Sequence, residues 1–318
     1  VAVWNLREPE PRQVMRFEYA LPEDQQLISS STRPVLALSA DGRRLVYSTT
    51  KGLFLRSVDQ SAAKLIPGTG GFPQQPFFSP DGKWIGYWSG KDLTLNKVTI
   101  DGGSPVALCD ATALRGAHWY QDDAIVYGNL PGGVMKISGN GAPPESFAGT
   151  ESEAATFPQI LPDGRSLLYT IFLSGVSGDR IAVKSLRTGE RKELFQGQAA
   201  WYLPTGHIVF RLAGKSSVFA IPFDSGRLEV TGGPTPVVEG VAGLGTQIAI
   251  SGSGTMAYIP ETGSATSTGL TLVWVNRDGK EAQISAPGNA YAFPSVSPDG
   301  TRAALTANIG GNQDIWIW

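Results

Sequence analysis

Cysteine, histidine and charge are all scarce in this 318-residue chain. A single cysteine, Cys109, excludes an intrachain disulfide framework and reads as a small buried hydrophobe. Two histidines, His118 and His207, do not make a zinc site with that one cysteine at any usual ligand spacing. Charged residues are 17% of the chain, the formal net charge is −2 and the pI is near 5.8. No basic field is available to attract phosphates, which argues against a nucleic-acid partner. No apolar run approaches the ~20 residues that a membrane helix needs. No segment holds a 3.6-residue apolar period over a helix length, so a helical repeat is excluded as well.

Glycine, by contrast, is abundant. The 39 glycines are about 12% of the chain against a usual ~7%. They follow no Gly-X-Y period, and so point to many turns in an all-β protein.

Several of these glycines close one recurring turn. Ser39-Ala-Asp-Gly42, Ser79-Pro-Asp-Gly82, Leu161-Pro-Asp-Gly164 and Ser297-Pro-Asp-Gly300 are clear copies, and each leads into a strand-like run such as "KWIGY" or "RSLLY". Weaker copies, one residue shorter in the turn, are "YQDDAIVY", "LPTGHIVF" and "SGSGTMAY". The seven motif starts, near 39, 79, 121, 161, 203, 251 and 297, are 40 to 48 residues apart. Proline presets the turn, aspartate bonds locally, and glycine takes the left-handed conformation. The flanks alternate with period two, as strands do. A second turn follows in each of the first six units, at "VDQS" (58–61), "IDGGS" (100–104), "SGNG" (138–141), "RTGE" (187–190), "DSGR" (224–227) and "NRDGK" (276–280). Four strands and two tight turns per 40–48 residues describe a propeller blade.

The expected fold is therefore all-β: a seven-bladed β-propeller of four-stranded antiparallel blades, with six or eight blades as alternatives. Residues 1–11 read as a linker and 12–318 as one propeller domain. The seventh unit stops at Trp318, one strand short. The alternating stretch "QVMRFEYAL" (13–21) is expected to supply that strand, so that the last blade is closed by the N-terminal strand. The alternative is a natural chain that runs on past Trp318.

The repeats "SPDGKWIGY" and "SPDGTRAAL" resemble the WD40-like, TolB-like propeller repeats of bacteria. Together with "VMRFEYALPEDQQL", "VTIDGGSPVALCDA" and "LVWVNRDGKEAQISAPGNAYAFPSVSPDGTRAAL", they are similar to the C-terminal region of membrane-anchored bacterial serine/threonine kinases. In that family a kinase is followed by one membrane helix and a propeller outside the membrane. The resemblance implies an extracytoplasmic location, an upstream membrane helix and a sensing or scaffold role. It names no ligand.

Kinase chemistry needs a glycine-rich loop, a strand lysine, His-Arg-Asp and Asp-Phe-Gly, and a hydrolase needs Gly-x-Ser-x-Gly; none of these is in the chain. The chain is thus read as a non-enzyme without a cofactor. Asp122-Asp123 is the adjacent acidic pair on a blade turn that a channel calcium would use, and a turn role is the better reading of it. Asp41, Asp81, Asp163 and Asp299 are spaced by the repeat and read as turn aspartates, not a carboxylate ring. Trp84, Tyr87, Tyr127, Tyr169, Tyr258 and Trp316 fall at repeated strand positions and read as blade core.

Long, variable connections share one face of such a ring, where recognition usually sits. The candidate ligand-binding residues there are Arg33, Gln75, Arg115, His118, Trp119, Phe157, Trp201, Gln247, Tyr291 and Phe293, with Glu151, Glu153 and Arg180 as further polar groups. The partner is a ligand or protein of unknown identity. The competing readings are a channel enzyme of lactonase, lyase or glycosidase type, and a pure protein–protein scaffold.

Overall fold

The computed structural model describes residues 16–28, 33–149, 154–173, 178–243, 246–261, 273–275, 280–283, 292–309 and 312–318. Every element among them is a strand, and every strand pairing is antiparallel. Repeat 1 pairs Leu36–Leu38, Arg44–Thr49, Gly52–Ser57 and Lys64–Leu65 in that order. Repeats 2, 3 and 4 give the same four-stranded order from inner strands Pro73–Phe78, Leu114–Trp119 and Ala154–Ile160. Repeat 5 runs from Gln198–Leu203 through His207–Arg211 and Val218–Asp224 to Thr235–Val238.

The recurring turn is built as its residue types demand. Ser39 Oγ donates to Asp41 Oδ1 at 2.6 Å, and Ser79 repeats this with Asp81 at the same distance. The same hydroxyls accept from the amides of Arg44 and Trp84, both at 2.9 Å. Gly42, Gly82, Gly164 and Gly300 have φ of 70°, 67°, 67° and 70°, the left-handed region glycine tolerates best. The serine hydroxyl, more than any other neighbour, holds the Asp41 and Asp81 carboxyls below their ordinary range. These aspartates serve the turns, as expected.

The core lies between adjacent sheets. Tyr87, Tyr127 and Tyr169 are almost wholly buried, matching the blade-core reading, and Trp84 is partly buried under Lys97 Nζ, 4.5 Å from its ring centroid. Tyr258 and Trp316 depart from it, being 42% and 45% exposed.

Six repeats succeed one another and meet. The inner strand of repeat 6, Ile248–Ile250, pairs with Met256–Tyr258 and lies against Leu36–Leu38 of repeat 1. Ala249, Ala257 and Ile259 join Leu36, Tyr47 and Phe54 in one apolar cluster. At the turn end, Ser253 Oγ donates to Asp41 O at 2.9 Å, much as Arg44 Nη1 donates to Gly82 O at the repeat 1–2 junction. The seventh repeat forms its own three-stranded sheet, Ala292–Val296, Ala303–Ile309 and Asn312–Ile317. Among the described residues Val273–Val275 pairs with Glu281–Gln283.

The expected closing strand is not formed by the described residues. Residues 16–21 carry no strand pairing, and 13–15 lie outside the described residues, as does the linker 1–11. Tyr19 instead packs edge-on to Tyr47 and beneath Arg56 of repeat 1. The physical reason is local: repeat 1 offers an aromatic face and a guanidinium to Tyr19, while Phe17 stays 69% exposed.

Candidate functional site

The inner strands carry a bulge four residues before the turn. Gln75, Gly116, Phe157 and Ala199 occupy it in repeats 2 to 5, all at positive φ between 48° and 78°. Val35 and Gln247 hold the same sequence position in repeats 1 and 6. A bulge turns a side chain out of the ladder and toward the neighbouring blade or the channel.

Two of the candidate residues use that position to tie blades together. Gln75 Nε2 donates to Leu114 O at 2.8 Å, and its Oε1 accepts from Gly116 N at 2.5 Å. Gln247 Nε2 donates to Arg33 O at 2.9 Å, and its Oε1 accepts from Val35 N at 3.0 Å. Each amide satisfies one acceptor and one donor of the next inner strand, and both side chains are buried. Gln75 and Gln247, both candidate ligand contacts, are inter-blade clamps in this structure. A buried main-chain edge wants its bonds filled from inside the protein.

Trp119 and His118, two further candidates, follow one another at the end of the repeat 3 inner strand. Trp119 is 5% exposed, meets Phe77 edge-on and donates from Nε1 to Asp123 Oδ1 at 3.3 Å. Asp122 and Asp123 have φ of 58° and 60°, the two left-handed residues of a tight hairpin, and Ser138 Oγ also donates to Asp123. Among the described residues no group of three His, Cys, Asp or Glu side chains is placed to hold a metal. The Cys109 thiol lies 3.5 Å from Tyr127 Oη, and burial pushes its pKa up.

His118 keeps Nδ1 sealed from solvent without a hydrogen bond, and burial pulls its pKa down to about 4. Its unfolded value is near ~6.5, so the unfolded chain takes the proton first and stability falls as pH drops from ~6.5 toward ~4. The expected loss is about 2–3 kcal/mol across that window. His118→Phe, which places here the residue type that repeat 2 has at Phe77, should flatten this pH dependence in urea unfolding curves. An unchanged slope would assign the acid sensitivity elsewhere.

Phe157 and Trp201 do meet. Their rings are edge-to-face at 6.3 Å between centroids, both half-buried, between repeats 4 and 5. Tyr291, Glu151 and Glu153 lie outside the described residues, and Phe293 sits in the strand Ala292–Val296 with its side chain outside them. Arg180 is exposed at the start of its strand.

Arg33 and Arg115 are brought together. Arg33 precedes the inner strand of repeat 1 and places its guanidinium 4.2 Å from the Trp88 ring centroid of repeat 2. Arg115 stands between Leu114 and Gly116, the two residues that Gln75 grips. Burial, and then the charge of Arg115, pull the Arg33 pKa down to about 10; burial lowers that of Arg115 also. A second cationic point lies at repeats 4 and 5. Burial brings Arg211 down to about 10 against the opposing pull of Asp179, whose own pKa burial raises. Asp179 accepts from Leu173 N and Gln198 Nε2.

Sequence reasoning missed Trp88, Arg211 and Asp179. Trp88 follows the core residue Tyr87, so the period-two pattern assigns it to the opposite face of its strand; that was the available signal. Two clefts among the described residues lie elsewhere. One of about 460 Å³ is lined by Ser57, Gln60, Pro67 and Asp101 near the second turns of repeats 1 and 2. Another of about 300 Å³ is lined by Asp122, Lys136 and Glu145. None of the ten candidate residues lines either.

Among solved structures the chain is similar to β-propellers. The structure of putative TolB from Agrobacterium tumefaciens aligns over 71% of this chain and 90% of its own, with a TM-score of 0.57 and 16% identity. TolB from Acinetobacter baumannii aligns with a TM-score of 0.52 and 17% identity over 65% of this chain. The chain spans 55% of that protein's length. The Cps50 (Swd1) β-propeller domain of Myceliophteria thermophila aligns over 92% of this chain and 99% of its own, with a TM-score of 0.53 and 11% identity. No family model matches, and no curated protein matches by sequence. The neighbours establish the fold: this is a β-propeller. No helix among the described residues is long and apolar enough to cross a membrane.

Proposed function

We propose that this chain is a non-catalytic recognition module that binds through the long-connection face of its ring. In this reading it is the extracytoplasmic propeller of a bacterial receptor-type serine/threonine kinase and works as its sensor. The observation that carries the binding role is the half-buried Arg33 guanidinium over the buried Trp88 ring, with the half-buried Arg115 close enough to act on its charge. Desolvated cations cost stability, and such groups cluster where a protein meets a ligand. The kinase context rests on the sequence resemblance alone.

Two experiments test this. The first is a thermal-shift screen of the purified chain against sugars, amino acids, short peptides and small acids. Its hits are then mapped by hydrogen exchange. Binding should protect the segments around Arg33, Leu114–His118 and Gln198–Leu203. Protection confined to the turns at Ser39, Ser79 and Leu161 would overturn the choice of face, and turnover of any hit would overturn the non-catalytic reading. The second is the full open reading frame. It should encode a kinase domain and one apolar span before Val1, and a frame without them refutes the receptor assignment.

A further inference from the structure

The cleft of about 460 Å³ near the second turns of repeats 1 and 2 has walls fixed by strand register. Arg44 lies directly opposite Ser57, and Leu55 directly opposite Lys64. Directly opposed residues share a face of the sheet, as do residues two apart along a strand. Ile66 N bonds Leu53 O at 2.8 Å, so strand geometry extends to Ile66. Arg44, Leu55, Ser57, Lys64 and Ile66 therefore stand on one face of repeat 1, and all five line the cleft. That face is turned to repeat 2, since Leu55, Ile66 and Ile100 share an apolar cluster with Val46 and Ile85. Ile100 and Asp101, where repeat 2 enters its second turn, belong to the opposite wall.

Two ties between the repeats brace these walls. Arg44 Nη1 donates to Gly82 O at 2.9 Å, which holds one nitrogen of the guanidinium against repeat 2. Pro67 and Gly68 are pressed on the repeat 2 turn: a Cβ built on Gly68 would lie 2.6 Å from Gly103 O and 2.8 Å from Pro105 Cδ. A cleft already braced needs little ordering when something binds, which removes part of the usual entropic cost. Its volume falls within the ~300–1,000 Å³ of small-molecule sites.

The lining is divided by chemistry. Ile66 is 2% exposed, and Leu55 and Ile100 are half-buried, so the floor is apolar. Arg44 and Lys64 charge the repeat 1 wall, and Asp101 stands across from them. Among the lining residues two cations thus face one acid, over an apolar floor.

We propose that this cleft binds a small organic acid with an apolar body, an aryl or branched-alkyl carboxylate. The carboxylate meets Arg44 and Lys64, whose N–H donors match its two oxygens. The apolar part lies on Leu55, Ile66 and Ile100. Neither half suffices alone. A small anion leaves the floor wet, and a neutral alcohol leaves the cations unanswered. Asp101 is placed to read an ammonium on the same ligand, and an apolar amino acid is the form of this class that carries one. The site lies by the short turns and does not depend on the reading of the long-connection face.

The test titrates the whole chain, at constant ionic strength, with phenylpropionate and with free phenylalanine. Acetate supplies the charge without the body, and phenylpropanol the body without the charge. Phenylpropionate should bind saturably by calorimetry, about tenfold tighter than either control. Lys64→Gln, at an exposed position, should weaken it about threefold, and Arg44→Gln about tenfold. Phenylalanine that binds tighter than phenylpropionate, with the gain lost in Asp101→Asn, assigns an amino acid; phenylalanine that binds no tighter assigns the plain acid. Equal affinity for acetate means an adventitious ion only and overturns the proposal, as does equal affinity for phenylpropanol. No saturable binding up to about 20 mM overturns it too. So does unchanged affinity in the Arg44→Gln, Lys64→Gln double variant. Should that variant not fold, hydrogen exchange on the native chain decides: the acid must protect residues 55–57, 64–66 or 100–101, and protection of none sinks the site. Protection of residues 33–36 or 114–118 in their place would assign the acid to the long-connection face, removing the present proposal and leaving the recognition role standing.

Discussion

Gln247→Ala should lower the unfolding free energy by about 2–4 kcal/mol, a large effect for one polar side chain. The substitution removes two buried hydrogen bonds and leaves Val35 N–H and Arg33 C=O facing the gap. Water does not reach a buried strand edge readily, so the cost is that of leaving main-chain groups unsatisfied. The location makes the result diagnostic. Gln247 lies 212 residues from Val35 in sequence, and the bond closes the ring. Losing it should open the repeat 6–repeat 1 junction before the rest unfolds. Urea curves should shift in midpoint, and hydrogen exchange should quicken first at Leu36 and Ile248. Gln75→Ala removes the same pair of bonds inside the ring and should cost a similar amount without that local opening. If the seventh sheet were the true neighbour of repeat 1, Gln247→Ala would leave exchange at Leu36 unchanged. A cost below about 0.5 kcal/mol would likewise reject the clamp.

The same residue marks where sequence reading stopped. The turn motif was legible because its chemistry is local: serine, aspartate and glycine each act within five residues, and the structure forms the serine–aspartate bond in three copies and the amide–aspartate bond in four. The strands were legible because period two is local as well. Closure was not. Which repeat meets the first depends on a glutamine four residues before the turn, and Gln75 and Gln247 look in sequence like any polar residue near a loop. Aligning the repeats on their turns puts both at one position, with Val35, Gly116, Phe157 and Ala199, and only neighbouring backbone gives that position its meaning. Repeat 7 has Phe293 there and no side-chain amide. The candidate site was half legible. Arg33 and Arg115 were chosen for charge on the expected face. Trp88 was missed because strand alternation cannot show which inter-blade layer receives a side chain.

Gly128→Ala should be strongly destabilising, at about 3 kcal/mol or more. A Cβ built there meets Arg115 O at 2.6 Å, Ala155 O at 2.7 Å and Thr156 Cα at 2.8 Å. All three are main-chain atoms, from the inner strands of repeats 3 and 4. No rotamer can move them aside, so the strands themselves must part. Backbone conformation is not the cause, since Gly128 is not among the positive-φ glycines. Gly82→Ala provides the contrast. Its φ of 67° disfavours a side chain, but the nearest atom to its Cβ is the end of Arg44, 3.6 Å away. Its cost should stay near ~1 kcal/mol, the left-handed penalty alone. The difference between the two variants, read from denaturant midpoints at equal m-value, measures how tightly blades 3 and 4 are pressed together. Parity between them would mean that this junction is looser than the packing requires. The backbone beneath Arg115 would then lack the rigidity that its role beside Arg33 depends on.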